Sequence, residues 1–142
     1  MSAKEKIQQV SVKGVLCRNN KVLVLKTASR GNYELPGGRV DFGETIEEAF
    51  KREMKEELGF ENVRMGKFIN VWTFLHDRKE VYYHFMILDF EIFSDEKDIK
   101  ISPEHTDYKW IGADELDAIN MREGHKKSLK KYFKDRNTEA NC

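Results

Sequence analysis

The stretch Pro36–Phe60, PGGRVDFGETIEEAFKREMKEELGF, decides how this chain reads. Its second half is the clearest helix in the sequence. Thr45, with Glu48 three residues on, is a capping-box pair, in which each side chain satisfies a backbone N–H at the helix start. Ile46, Phe50, Met54 and Leu58 recur every four residues and form one apolar stripe. Gly59 follows, where a helix C-terminal glycine belongs. The spacing therefore predicts a helix over 45–58. Glu53, Glu56 and Glu57 stand on it at i, i+3 and i+4, so three carboxylates share one face.

Like charges at that spacing repel, and the cluster invites a cation. Arg52, four residues before Glu56, supplies part of the charge. A divalent metal would supply more, and hard carboxylate oxygens suit Mg²⁺ or Mn²⁺. Alone, the three acids read first as a solvated helix face beside Lys51 and Lys55. The preceding loop shifts the balance. Gly37-Gly38 lets main chain approach a ligand or metal closely, Pro36 stiffens the entry, and Glu44 adds an acid at the helix start.

Outward from this stretch, the chain reads as strands. Val10–Cys17 and Val22–Leu25 flank the turn residues Arg18-Asn19-Asn20-Lys21 and predict a hairpin. Tyr33–Leu35 is a short extended piece. Phe68–Leu75 and Val81–Phe93 are strand-like around a polar turn at 76–80, and Tyr108–Ile111 is a short strand. Ala113–Ile119 and Glu123–Phe133 read as helices. Helices packed on a mixed sheet are the expected architecture.

The 142 residues suit one domain over 1–142, with a core at about 8–133 and a polar tail at 135–142. Charge is balanced, 25 Lys and Arg against 25 Asp and Glu, which argues against coating nucleic acid or anionic membrane by bulk electrostatics. No apolar run approaches the length of a membrane span. Cys17 and Cys142 suggest neither a disulfide framework nor a zinc site, and Met1–Gln9 has no apolar signal core. A reduced, cytoplasmic protein is the expectation.

The spacing within the deciding stretch is specific. Gly38 is followed by five residues and Glu44, then seven residues and Arg52-Glu53. Met54, Lys55, Glu56-Glu57, Leu58, Gly59 and Phe60 complete it. This resembles the full signature of the Nudix hydrolase family, MutT-like, at every charged and glycine position. Met54 and Phe60 fill its apolar positions, where aliphatic residues are more usual. Tyr33-Glu34-Leu35-Pro36-Gly37-Gly38 is similar to the family's lead-in, and EHTDYKWIGADEL, residues 104–116, to its distal segment. The resemblance covers most of residues 8–133. It implies an α/β fold, the α/β/α sandwich around a mixed β-sheet, and metal-dependent hydrolysis of a pyrophosphate bond in a nucleoside diphosphate linked to another group.

The resemblance also implies roles. Glu56 and Glu57 would bind metal directly, Glu53 would be ligand or general base, and Gly38 would offer its carbonyl. Arg52 would orient Glu53, and Glu44 would support the loop and Arg52. Glu104 is the distal alternative for the base, with Asp107 and Glu96 behind it. Mg²⁺ is the expected cofactor, with Mn²⁺ as substitute. The partner is a small nucleotide, with no nucleic acid or membrane, and a homodimer accords with many family members.

Other residues read as structural. His76, His84, His105 and His125 lack metal-ligand spacing. Trp72, Tyr82, Phe85 and Trp110 read as core, while Tyr33 or Phe74 would suit a nucleobase pocket. The basic run Arg122–Lys134 reads as a solvated helix face. The family's markers for ADP-ribose, diadenosine polyphosphates and coenzyme A do not match here. A nucleoside triphosphate, cleaved to monophosphate and pyrophosphate, is the expectation by elimination. ADP-ribose or a nucleotide sugar is the alternative, and a non-catalytic nucleotide-binding module, which would usually lack box acids, the second.

Overall fold

Strand register sets which residues meet at the site. The structure is a computed structural model that describes residues 4–136 and 142. In chain order the elements are β1 (Glu5–Val15), β2 (Cys17–Arg18), β3 (Lys21–Thr27), β4 (Tyr33–Glu34), β5 (Gly37–Arg39) and α1 (Ile46–Leu58). After them come β6 (Arg64–Asp77), β7 (Val81–Phe93), β8 (His105–Ile111) and α2 (Glu123–Arg136). One sheet has the order β5-β1-β7-β6, and the other joins β2, β3 and β4, with β8 also on β3. β1 and β7 are parallel while β5 and β6 pair antiparallel, so this sheet is mixed.

Alternation along β3 divides the core. Val22 and Val24 join Leu129 and Tyr132 of α2, whereas Leu23 and Leu25 join Phe50, Met54 and Leu58 of α1. A strand buried on both faces is what its continuous apolar run requires. Helices cover opposite faces, and the α/β/α sandwich is the fold.

Helix α1 forms as its sequence dictates. Thr45 caps it, the Glu48 N–H donates to the Thr45 hydroxyl, the Thr45 N–H donates to Glu48, and Gly59 closes it in the left-handed region. The hairpin turn has Asn19 at φ 53° and Asn20 at φ 62°, two left-handed residues whose twist matches the flanking strands.

Four expectations change. The hairpin expected between Val10–Cys17 and Val22–Leu25 is confined to β2 and the start of β3, because β1 turns away to pair with β5 and β7 in the other sheet. β1 begins at Glu5, because its polar start is held by parallel pairing to Val81–Phe85 of β7. The helix expected at 113–119 is one 3-10 turn at Ala113–Glu115, continued by turns that bury Leu116 and Ile119, three residues apart. Cys17 and Cys142 are joined in a disulfide with Cα atoms 5.7 Å apart, beside a hydrogen bond from the Asn19 N–H to the Cys142 carbonyl. Their sequence separation of 125 left no spacing signal. Of the expected polar tail, residues 135 and 136 extend α2, and 137–141 lie outside the described residues. Among the described residues, no helix is long and apolar enough to cross a membrane.

One buried acid makes stability depend on pH. Asp89 of β7 is fully buried, and its Oδ2 accepts from Ser128 Oγ at 2.5 Å and Trp72 Nε1 at 3.0 Å. Burial pushes its carboxyl from 3.8 up to about 6, against those hydrogen bonds and the Lys13 charge. The folded state holds this proton more tightly than the unfolded one, so stability falls as pH rises between those values. The cost above that window is on the order of 3 kcal/mol. Asp89→Asn is expected to remove most of this pH dependence, checked by urea unfolding at pH 5 and pH 8.

Candidate active site

Arg52 is the centre of a charge network that the fold assembles at the N-terminal half of α1. Its Nε and Nη2 donate to the two carboxylate oxygens of Glu44 at 2.7 and 2.8 Å, a bidentate fork. Nη1 donates to Glu53 Oε1 at 2.9 Å and reaches Glu56 Oε2 at 3.3 Å, while Nη2 also donates to the Arg39 carbonyl at 2.8 Å. Glu44 also accepts the Asp41 N–H, and the Arg52 hydrogen bond leads in holding its carboxyl at about 2. One guanidinium thus ties the loop after β5 to three box acids.

Glu53 is set against Gly38. A Cβ at residue 38 would stand 2.7 Å from the Glu53 carboxyl carbon and both its oxygens, so a side chain there would displace the carboxylate. Neighbouring Gly37 has φ 134°, and a Cβ there would fall 2.1 Å from the Val12 carbonyl. The two glycines allow β5 to lie against β1 on one side and against the Glu53 carboxylate on the other. Burial pushes the Glu53 carboxyl up to about 7, with Glu57 and Glu56 adding to the rise and Arg52 opposing it.

Glu57 points into a buried cluster. Its Oε1 accepts the Gly37 N–H, and its Oε2 accepts from Ser102 Oγ, both at 3.3 Å. His105 of β8 stands between two acids, with Nδ1 3.1 Å from Glu57 Oε2 and Nε2 2.9 Å from Glu34 Oε1. The Nδ1 contact is a charge contact without hydrogen-bond alignment; the Nε2 contact is a hydrogen bond. Lys13 lies 3.8 Å from Glu34 and donates to the Gly37 carbonyl. Burial opposes both charges, yet Lys13 and His105 hold Glu34 at about 2, and Glu34 and Glu57 hold His105 at about 9.

The structure thus brings Gly38, Arg52, Glu53 and Glu56 together and sets Glu57 one turn further on, against β5 and β8. Glu104 lies just before β8. Its backbone bonds to Ala28 and Ser102, but its side chain is exposed and makes no polar contact among the described residues. His105 departs from the structural reading of the histidines, because it touches a box acid. Its partners Glu34 and Glu57 are distant in sequence, so no local spacing reveals it. The aromatic residues read as core also separate: Tyr82 is exposed, Phe85 is buried, and Trp72 and Trp110 are half-buried.

The donors fit a hard divalent cation. The oxygens of Glu53, Glu56 and Glu57 and the Gly38 carbonyl are of the type Mg²⁺ and Mn²⁺ take. Glu53, a half-buried carboxyl pushed up beside two other acids, has the environment that a cation would relieve. Each Glu57 oxygen keeps a lone-pair site beyond the bonds described. Glu34, Glu57 and His105 form a second candidate set, their ligand atoms within 4.8 Å of one another. Because His105 packs 3.1 Å from Glu57 Oε2 and is itself anchored on Glu34, His105→Asn is expected to raise the half-saturating Mn²⁺ concentration by roughly tenfold or more, with a smaller change in kcat. A metal titration of activity checks this.

Comparison with known proteins gives one answer. The NUDIX domain profile matches residues 7–132. The nucleoside triphosphatase NudI of Escherichia coli O81 (strain ED1a) is 34% identical over 110 residues, covering 70% of this chain and 75% of that protein. NudI of Shigella flexneri serotype 5b is equally similar. Among solved structures, the MutT protein of Methanosarcina mazei Go1 superposes with TM-score 0.73 at 22% identity, over 96% of this chain and all of that one. A UDP-X diphosphatase does so with TM-score 0.69 at 16% identity, over 99% of this chain and 68% of that one.

Proposed function

The chain belongs to the Nudix hydrolase family, and from that premise we propose that it hydrolyses nucleoside triphosphates to monophosphate and pyrophosphate with Mg²⁺. The reaction class, a pyrophosphohydrolase acting on a nucleotide, comes with the family. The observation that carries the reading is the intact acid set: Glu44, Glu53 and Glu56 converge on Arg52 beside Gly38, with Glu57 on the same helix. The negative charge gathered there exceeds what one guanidinium balances. The 34% identity with proteins named nucleoside triphosphatase supports the substrate.

Bound Mg²⁺ supplies charge neutralisation, polarises a phosphoryl oxygen and lowers the pKa of water. The chain's own residues do the rest. Glu53, poised near neutral pH, accepts the proton from the attacking water as its oxygen bonds phosphorus. The P–O anhydride bond breaks, and pyrophosphate leaves with the bridging oxygen. Arg52 holds Glu53 in place, and Glu44 holds Arg52. Glu53 is preferred to Glu104 as base because it combines a raised pKa with a fixed position.

A hydrolysis panel of canonical and oxidised nucleoside triphosphates, ADP-ribose, nucleotide sugars and dinucleoside polyphosphates tests this. Pyrophosphate released from a triphosphate, abolished by EDTA and restored by Mg²⁺, is the expected result. Turnover confined to ADP-ribose or a nucleotide sugar overturns the substrate assignment.

A further inference from the structure

The β5-β1-β7-β6 sheet carries a ladder of aromatic rings that the hydrolytic chemistry does not use. The register sets Phe74 of β6 opposite Phe85 of β7, and His76 opposite Tyr83. Trp72 stacks on Phe74 at 5.4 Å, Phe74 on Phe85 at 5.1 Å and Phe85 on Tyr83 at 5.1 Å, all within 25° of parallel.

Arginines from separate segments lie over these rings. Arg122, just before α2, stands 4.1 Å from the Phe74 centroid. Arg78, from the turn after β6, stands 5.4 Å from Tyr83, and Arg39 of β5 stands 4.9 Å from the same ring. A fourth, Arg30 in the loop after β3, acts electrostatically on Arg122 and, with Arg78 and Arg122, on His76. Burial and these three charges hold His76 below its ordinary value.

None of the four arginines has a carboxylate partner among the described residues. Three of the acids nearby are engaged elsewhere: Asp77 with Lys4, Glu34 with His105 and Lys13, and Glu123 with Lys126. Cations gathered without counter-charge repel one another, and an arriving anion reverses that. Flat rings at the same place accept a base by stacking.

Position relates this surface to the active site. Arg39 directly follows Gly38. Lys13 pairs with Gly37 and with Asp89, and Tyr83 lies six residues back along β7, a span of about 20 Å. A nucleotide with its pyrophosphate at Gly38 and Glu53 would lay its base along the ladder. Arg30 and Arg78 would then face the end of the molecule remote from the scissile bond.

We propose that the arginine-capped ladder selects nucleotides that carry a further phosphate remote from the scissile pyrophosphate. This rests on the hydrolase reading above and names the substrate class within it. The phosphate would be bound by Arg30, Arg78 and Arg122, and the base by the rings below them.

Matched pairs test it: guanosine 5′-triphosphate with and without a 3′-diphosphate, and NADPH against NADH. The phosphorylated member is expected to show kcat/KM at least about tenfold higher, from one or more charge-assisted hydrogen bonds. The ratio should fall toward one in Arg30→Gln/Arg78→Gln, or in Arg78→Gln alone if the double variant does not fold. Equal turnover of both members, or a ratio that the variants leave unchanged, overturns the proposal and leaves the hydrolase reading standing. If no nucleotide is cleaved, the hydrolase reading is what fails. Binding of adenosine 3′,5′-bisphosphate against adenosine 5′-monophosphate then decides the anion site. Tighter binding of the bisphosphate, weakened by Arg78→Gln, supports it; equal binding overturns it.

Discussion

Glu53→Gln lowers kcat by about two to four orders of magnitude, the range for removing a general base, while stability at pH 8 is retained or increased. Two consequences of one environment separate here. Burial against Gly38 and two neighbouring acids raises the Glu53 carboxyl from 4.5 to about 7. The folded state therefore binds this proton more tightly, and stability falls as pH rises through that interval. A neutral amide of the same shape escapes this cost. In the wild type, activity should fall as pH drops below about 7 and the carboxylate is protonated. Bound Mg²⁺ favours the carboxylate, so the fall should move to lower pH as the metal concentration rises. Steady-state rates from pH 5 to 9 at two Mg²⁺ concentrations, with thermal melts of both proteins, check all of this. A kcat within tenfold of wild type would pass the role of base to Glu104.

Arg52→Ala is expected to cost at least about a hundredfold in kcat/KM, the scale of misplacing catalytic groups. Stability should fall by about 1–3 kcal/mol, because the Glu44, Glu53 and Glu56 carboxylates lose their common partner. The side chain is 28% exposed, so water screens part of the loss. Mg²⁺ should stabilise this variant more than the wild type, since a cation replaces the missing charge. Arg52→Lys should not restore activity, because an ammonium cannot reproduce the fork on Glu44 while also reaching Glu53 and the Arg39 carbonyl. Urea unfolding with and without MgCl₂, alongside rates for both variants, tests this. Full activity of the lysine variant would mean that charge alone suffices at this position.

Local physics made much of the molecule legible. Helix α1, its Thr45 and Gly59 ends and the left-handed turn at Asn19-Asn20 all follow from contacts within a few residues, and the continuous apolar run of β3 announces its burial on both faces. The hydrogen bonds of Arg52 with Glu44, Glu53 and Glu56 belong to the same class, because one helix and the loop before it carry them all. The polar start of β1 was not legible, because its parallel partner β7 lies some 75 residues away, as the Glu5–Val81 pairing shows. The same holds for the Cys17–Cys142 bond.

By itself, the sequence determined the spacing of glycine, acid and arginine on one helix and loop, and with it the fold and reaction class. Periodicity and capping act over a few residues and require no distant partner. Only the tertiary structure decided that His105 stands between Glu57 and Glu34, that Glu53 packs against Gly38, and that four arginines, without a carboxylate partner among the described residues, gather about one aromatic ladder. Those features depend on which strands lie side by side and in what register. That is set by packing across the whole chain, not by the residues on either side.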